Sequence, residues 1–178
     1  MKKVNIILWI LLLVLVDQGS KLIIANCFID TQFYIIEDVL GFHPVYNIQH
    51  SFLNNLLNLK LSLWLHVILL FCIQWLIIYV YSNYRSKQPK TKLLDVSFIF
   101  GQAGLICVFL GWFFWKDGIL DFIFLYALTI DLKDIYLNCF VLLFIVNILK
   151  NRKEGLHQHD FMKIPDITEG KINRTENE

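Results

Sequence analysis

The chain has 178 residues, of which 57% are hydrophobic, 15% aromatic and only 17% charged. A hydrophobic content this high exceeds that of ordinary soluble domains, so the composition predicts a membrane protein and argues against a soluble enzyme. The formal net charge of +1 gives no sign of a nucleic-acid partner.

Four apolar segments are candidates for membrane-spanning helices, at residues 4–25, 61–82, 93–115 and 132–149. A spanning helix needs about 20 mostly apolar residues, and the fourth segment reaches that length only if it includes its acidic start. The predicted fold class is an all-α polytopic membrane protein with a bundle of four transmembrane helices. We expect one membrane domain over residues 1–149, followed by a polar, disordered cytoplasmic tail over residues 150–178.

Basic residues indicate the direction of the four spans. They lie before the first span, between the second and third, and after the fourth: Lys2, Lys3, Arg85, Lys87, Lys90, Lys92, Lys150, Arg152 and Lys153. Cytoplasmic loops of membrane proteins carry an excess of Lys and Arg. Both termini are therefore predicted to be cytoplasmic, and segments 26–60 and 116–134 are predicted to face outward.

The first outer segment is predicted to form a small cradle that contains β-structure. Residues 33–36 are a β-prone run, and turn residues follow around Gly41 and Pro44. Leucines and a phenylalanine within residues 51–59 follow helical spacing between asparagines, which predicts a short interfacial helix.

Small residues form a stripe along the third span. Ser97, Gly101, Gly104 and Gly111 are spaced by four, three and seven residues. Such stripes let another helix approach closely, so we predict a packing face there.

Ionisable residues inside apolar segments are the strongest functional signal. A charge at membrane depth costs at least about 2.5 kcal/mol, so such residues usually face the bundle interior. Asp17 and Lys21 are four residues apart on the first span and can pair, either as part of a site or only to orient the helix. Asp121 lies in an apolar stretch that should dip into the outer interface, and Asp134 lies at the start of the fourth span.

Asp121 and Asp134 return to the same membrane surface and are predicted to form a catalytic pair. Two carboxylates close together can share a proton, so that one takes a proton from water while the other polarises a carbonyl group. Asp134 could instead be only a helix N-cap, although Asp131, three residues earlier, could fill that role. No His-Glu-x-x-His run is present, so we expect neither a metal nor another cofactor.

The order of these motifs resembles signal peptidase II, the lipoprotein signal peptidase family of bacteria, over roughly residues 4–149. Val16-Asp17-Gln18-Gly19-Ser20-Lys21 is similar to the family's Asp-x-x-(Ser/Thr)-Lys motif in the first helix. Val45 to Phe52 resembles its outer-loop motif, with Asn47 in the position of the substrate-contacting asparagine. Gly118 to Ile123 resembles the motif of the first catalytic aspartate. Ile130 to Asp134 resembles the family's Phe-Asn-x-Ala-Asp motif, whose last residue is the second catalytic aspartate.

The resemblance implies an intramembrane aspartic endopeptidase. Its substrates would be prolipoproteins that carry a diacylglyceryl-cysteine, cut just before that cysteine at the outer face of the membrane. Asp121 and Asp134 would be catalytic, and Asp17, Lys21, Asn47 and Asp131 would support the site or bind substrate. We expect a monomer in contact with membrane lipids.

Three departures from the family pattern leave a second function open. The third helix has Val108 to Phe113 where the family has Gly-Asn-x-x-Asp-Arg, Asp131 replaces an asparagine, and the pair spacing is shorter than usual. The alternative is a non-catalytic lipopeptide- or lipid-binding paralogue of the same fold. A transporter is disfavoured, because a path needs polar groups throughout the bilayer.

Overall fold

The computed structural model describes residues 1–48, 62–87, 92–126 and 128–161. The elements in chain order are α1 (Lys3–Cys27), β1 (Phe33–Ile36), β2 (Leu40–Asn47), α2 (Leu63–Lys87), α3 (Lys92–Phe114), β3 (Ile119–Leu125), β4 (Leu128–Ile130) and α4 (Leu132–Phe161). The predicted interfacial helix at 51–59 lies outside the described residues.

Four helices are long and apolar enough to cross a membrane, as predicted. The apolar stretches are Lys3–Cys27, Trp64–Ser86, Lys92–Phe114 and Leu132–Asn151. Large apolar side chains on α1 and α2, such as Leu15 and Trp75, are exposed on the protein surface. A surface of this kind is expected where lipid chains, rather than water, surround the helices.

The chain divides into two compact units, Met1–Phe144 and Ile145–Glu178. The described part of the second unit is the end of α4, which continues to Phe161, beyond the predicted end at residue 149. The assignment of 162–178 to a disordered tail stays a prediction, because these residues lie outside the described ranges.

A four-stranded antiparallel sheet in the order β1-β2-β3-β4 confirms that β-structure accompanies the four helices and extends it well beyond the single predicted run at residues 33–36. Residues 33–36 form the predicted strand, and the apolar stretch around Asp121, for which no strand was predicted, is the inner strand β3. Its run of apolar residues suits a strand that is buried through most of its length, and such a run has no alternation to reveal it.

Local sequence explains the shape of the sheet. The pairing of β2 with β3 shifts by one residue between Phe42 and Val45, where Pro44 cannot donate a backbone hydrogen bond. Gly118, just before β3, has a φ of 113°. A Cβ there would lie 3.0 Å from the backbone of Asn47, so the residue must be small as well as flexible.

The small-residue stripe of α3 is a packing face, as predicted. Cβ atoms added at Gly101 and Gly104 would lie 2.9 and 2.8 Å from the side chains of Phe140 and Leu137 on α4. Gly111 lies close to Ile119 of β3. The stripe therefore sets the approach of α4 and of the sheet to α3, which is the most buried of the four helices.

We expect Gly104→Ala to lower the free energy of unfolding by about 1–3 kcal/mol, because the added methyl group would overpack the contact with Leu137. The matched control is Gly19→Ala on α1, where an added Cβ meets nothing within 4 Å. That change should be neutral or stabilising by up to about 1 kcal/mol. Thermal unfolding in detergent measures both, and equal stability of the two variants would contradict the packing account.

Candidate functional site

Buried ionisable residues of α1 form one side of the candidate site. Asp17 and Lys21 are both fully buried, and the Lys21 ammonium donates a hydrogen bond of 3.0 Å to an Asp17 carboxylate oxygen. The four-residue spacing therefore produces the predicted pair. Gln18 extends the polar group, since its amide donates to Asp17 and its carbonyl accepts from the indole of Trp115.

The β3–β4 hairpin brings the separated acids together. Ile123 lies opposite Ile130, and only residues 126 and 127 separate the two strands. Strand β4 therefore runs back alongside β3, and the chain then reaches Asp131 and the first turn of α4 beside Asp121. This hairpin explains how acids 13 residues apart, at positions 121 and 134, share one site.

Asp131 and Asp134 form a reciprocal cap at the start of α4. The backbone N–H of Asp134 donates to the Asp131 carboxylate at 3.3 Å, and the backbone N–H of Asp131 donates to the Asp134 carboxylate at 3.2 Å. This is the geometry of a capping box, with an acid at each of its two positions. Asp131 is therefore the N-cap of α4, whereas Asp134 is the third residue of the helix, and its carboxylate also faces the other acids.

Asp121 is buried and receives two side-chain hydrogen bonds. The Asn47 amide donates to one carboxylate oxygen at 3.1 Å, and the Lys133 ammonium donates to the other at 3.3 Å. Burial raises the pKa of Asp121 above its usual range, although Lys133 and the hydrogen bond from Asn47 oppose the shift. The Asp121 carboxyl group is thus desolvated by burial and also accepts hydrogen bonds from two donors.

Asp131 is fully buried between two ammonium groups. One of its oxygens lies 2.5 Å from Lys21 and 2.8 Å from Lys133. Burial alone would raise the pKa of Asp131, but Lys133 and Lys21 outweigh that effect and hold the pKa below its usual range. Asp131 therefore carries a negative charge that links α1 to the start of α4.

The three acids Asp121, Asp131 and Asp134 each offer a carboxylate oxygen within 4.8 Å of the others. Such a set could hold a cation, and here the Lys133 ammonium contacts all three carboxylates. The Asp134 side chain is 33% exposed, whereas Asp121 is 5% exposed. Of the two predicted catalytic acids, Asp134 is therefore the one that is accessible from the protein surface.

All the residues singled out in the sequence come together at this site: Asp17, Lys21, Asn47, Asp121, Asp131 and Asp134. Lys133 was not among the predicted site residues, although its ammonium contacts three acids of the site. The available signal was its position in the first turn of α4, where a positive charge is unfavourable next to the helix dipole unless acids surround it.

Comparisons with known proteins agree with this architecture. Residues 9–150 match the family described as signal peptidase (SPase) II. A structure described as a bacterial membrane enzyme, solved in meso at 1.9 Å, superposes with a TM-score of 0.63 at 22% identity, covering 84% of this chain and 96% of its own. A second structure with the same description, solved at 2.3 Å, superposes with a TM-score of 0.62 at 20% identity. It covers 86% of this chain and 93% of its own. No curated protein matches the chain significantly.

We expect Lys21→Met to destabilise the fold by roughly 3–5 kcal/mol, because it leaves the buried Asp17 and Asp131 without their shared cation. Lys116→Met removes an exposed lysine and is the matched control. Thermal unfolding in detergent measures both variants. A Lys21→Met protein as stable as the Lys116→Met protein would show that the buried network contributes little to the fold.

Proposed function

The chain belongs to the signal peptidase II family, and on that basis we propose that it is an aspartic lipoprotein signal peptidase with Asp121 and Asp134 as its catalytic pair. The proposal is carried by one observation: the β3–β4 hairpin brings these acids within 4.8 Å of each other. Two oxygens at that separation can both hydrogen-bond to one water molecule at about 2.8 Å.

In the proposed reaction the two acids have different protonation states. Asp121, the more buried of the two acids, holds the proton and donates a hydrogen bond to the carbonyl oxygen of the scissile peptide. Asp134, which is partly exposed, takes a proton from the attacking water. The carbonyl carbon gains the hydroxyl group of that water, the C–N bond breaks, and the leaving amine takes the proton that Asp134 had removed from the water.

The remaining predicted residues act on the pair rather than on the substrate bond. Asn47 donates to Asp121 and so orients the carboxyl group. Asp17, Lys21 and Asp131 form a buried ionic chain that fixes the start of α4, and with it Asp134. The pair and these supporting residues all come from one chain, so the proposed reaction needs no residue from a second copy and is compatible with a monomer.

The proposed substrates are prolipoproteins with a diacylglyceryl-modified cysteine, cut on the amino-terminal side of that cysteine. A membrane-embedded site suits this substrate, because both its signal helix and its lipid chains reside in the bilayer. Membrane lipids are the expected surroundings, and neither a metal nor a nucleic acid has a role in the proposed reaction.

We expect Asp121→Asn and Asp134→Asn each to lower the rate of signal-peptide release from a diacylglyceryl-modified prolipoprotein by at least about 100-fold, since each removes one proton-transfer group. The assay uses purified protein in detergent. Asp117→Asn, at an exposed acid near the start of β3, should cleave at the wild-type rate.

Thermal unfolding of all three variants checks that they remain folded. Cleavage that survives either substitution at the pair would refute the catalytic assignment. Binding of the lipopeptide by the wild type without any hydrolysis would instead indicate the non-catalytic paralogue.

We also propose that both termini are cytoplasmic and that the acid pair lies at the outer face of the cell membrane. In a cysteine-free background, a cysteine introduced at Asp117 should react with an impermeant maleimide added to intact spheroplasts. A cysteine introduced at Ser86, at the other end of the bundle, should react only after the membrane is disrupted. The reverse pattern of labelling would overturn the orientation.

A further inference from the structure

Lys133 is the buried base that the proposed reaction does not yet use. Its ammonium lies 3.3 Å from Asp121, 3.4 Å from Asp134 and 2.8 Å from Asp131. An ammonium has three N–H donors, and here three carboxylates surround it. Lys133 therefore links Asp121 and Asp134, the proposed catalytic pair, to Asp131, which is not part of that pair.

Asp131 is fully buried and contacts groups from both α1 and α4. One of its oxygens accepts the backbone N–H of Asp134, and the other contacts both Lys21 and Lys133. Because the cap fixes Asp131 relative to α4, and Lys21 fixes it relative to α1, the carboxylate is a rigid anchor for the Lys133 ammonium.

Asp131 and Lys133 also depart together from the family pattern Phe-Asn-x-Ala-Asp. The acid stands at the asparagine position and the base at the alanine position. The two departures introduce one negative and one positive charge, 2.8 Å apart. They therefore leave the net charge around the acid pair unchanged, whereas either one alone would add an uncompensated charge to a buried site.

We propose that Asp131 and Lys133 act as one charge-balanced positioning unit, in which Asp131 holds the Lys133 ammonium between the carboxylates of Asp121 and Asp134. Neither residue is catalytic in this proposal, since each acts through the acid pair. The role in activity rests on the proposed peptidase function, but the coupling between the two residues does not.

The protonation of Asp121 depends on all the charged groups that face it among the described residues. These are Lys133 and Asp134 from α4 and Asp131 just before it, with Asp17 and Lys21 of α1 behind Asp131. Lys133 lowers the pKa of Asp121, and Asp131 raises it. Removing one member of the unit should therefore shift the protonation of Asp121, in opposite directions for the two members, and removing both should largely restore it.

The variants are Lys133→Met, Asp131→Asn and the double variant, with Lys116→Met and Asp117→Asn as exposed controls. Methionine keeps an unbranched apolar side chain, and asparagine keeps the ability to cap α4. Infrared titration in detergent follows the band of the protonated Asp121 carboxyl group. The band is isolated as the difference between each variant and the same variant with Asp121→Asn.

For Lys133→Met we expect the titration midpoint of Asp121 to rise by about one pH unit or more, because a contacting cation is lost. For Asp131→Asn it should fall, and for the double variant it should lie between the two single variants and near the wild type. Midpoints that are unchanged, or single shifts of the same sign, would overturn the proposal whether or not the protein cleaves a prolipoprotein.

In the cleavage assay each single variant should lose at least about tenfold in kcat/KM, and the double variant should be more active than either. The pH profile should move upward in Lys133→Met. If the wild type cleaves and Asp121→Asn does not, but the single variants match the wild type, only this proposal fails. If Lys133→Met does not fold, the charge-balanced double variant should fold, and failure of both would also overturn the proposal.

Discussion

The requirement that buried charges be paired is the constraint on which the rest of this structure depends. Asp17 and Asp131 are fully buried, and Lys21 bridges them from within α1. A bare carboxylate in an apolar bundle would be expensive, but each charge here has a partner of opposite sign. The network therefore fixes the rotation of α1 relative to the start of α4, since few other orientations of the two helices would leave these groups paired.

The sheet supplies what the helices alone could not. Asp121 and Asp134 belong to different elements, and the tight β3–β4 connection determines their separation. Asn47 reaches Asp121 because β2 pairs with β3 and Asn47 lies opposite Ile119. The helix bundle thus provides buried ion pairs, while the strand register of the sheet brings the acids close together. Burial of Asp121 and partial exposure of Asp134 follow from this arrangement and give two acids of one type different environments.

Much of this could be predicted from the sequence, for identifiable reasons. Apolar runs near the length of a bilayer predicted the four helices, and the spacing of Asp17 and Lys21 predicted their pair. The strand around Asp121 was missed because its mostly buried residues do not alternate in polarity. Lys133 was missed because pairing between elements distant in sequence depends on the register of the hairpin. Its position in a first helical turn indicated nearby acids, but its contact with Asp121, 12 residues away in the sequence, could not be predicted without that register.

The residues around the acid pair differ from the family pattern on two helices. Where the family pattern places polar residues near the end of the third helix, this chain has Gly111 packed against Ile119, an apolar contact that seats β3. Charge is supplied instead at the start of α4, by Asp131 and Lys133. A site can exchange its supporting groups in this way only if total charge and burial remain compatible. The paired departures at the start of α4 satisfy that condition, because the negative charge of Asp131 is offset by the positive charge of Lys133.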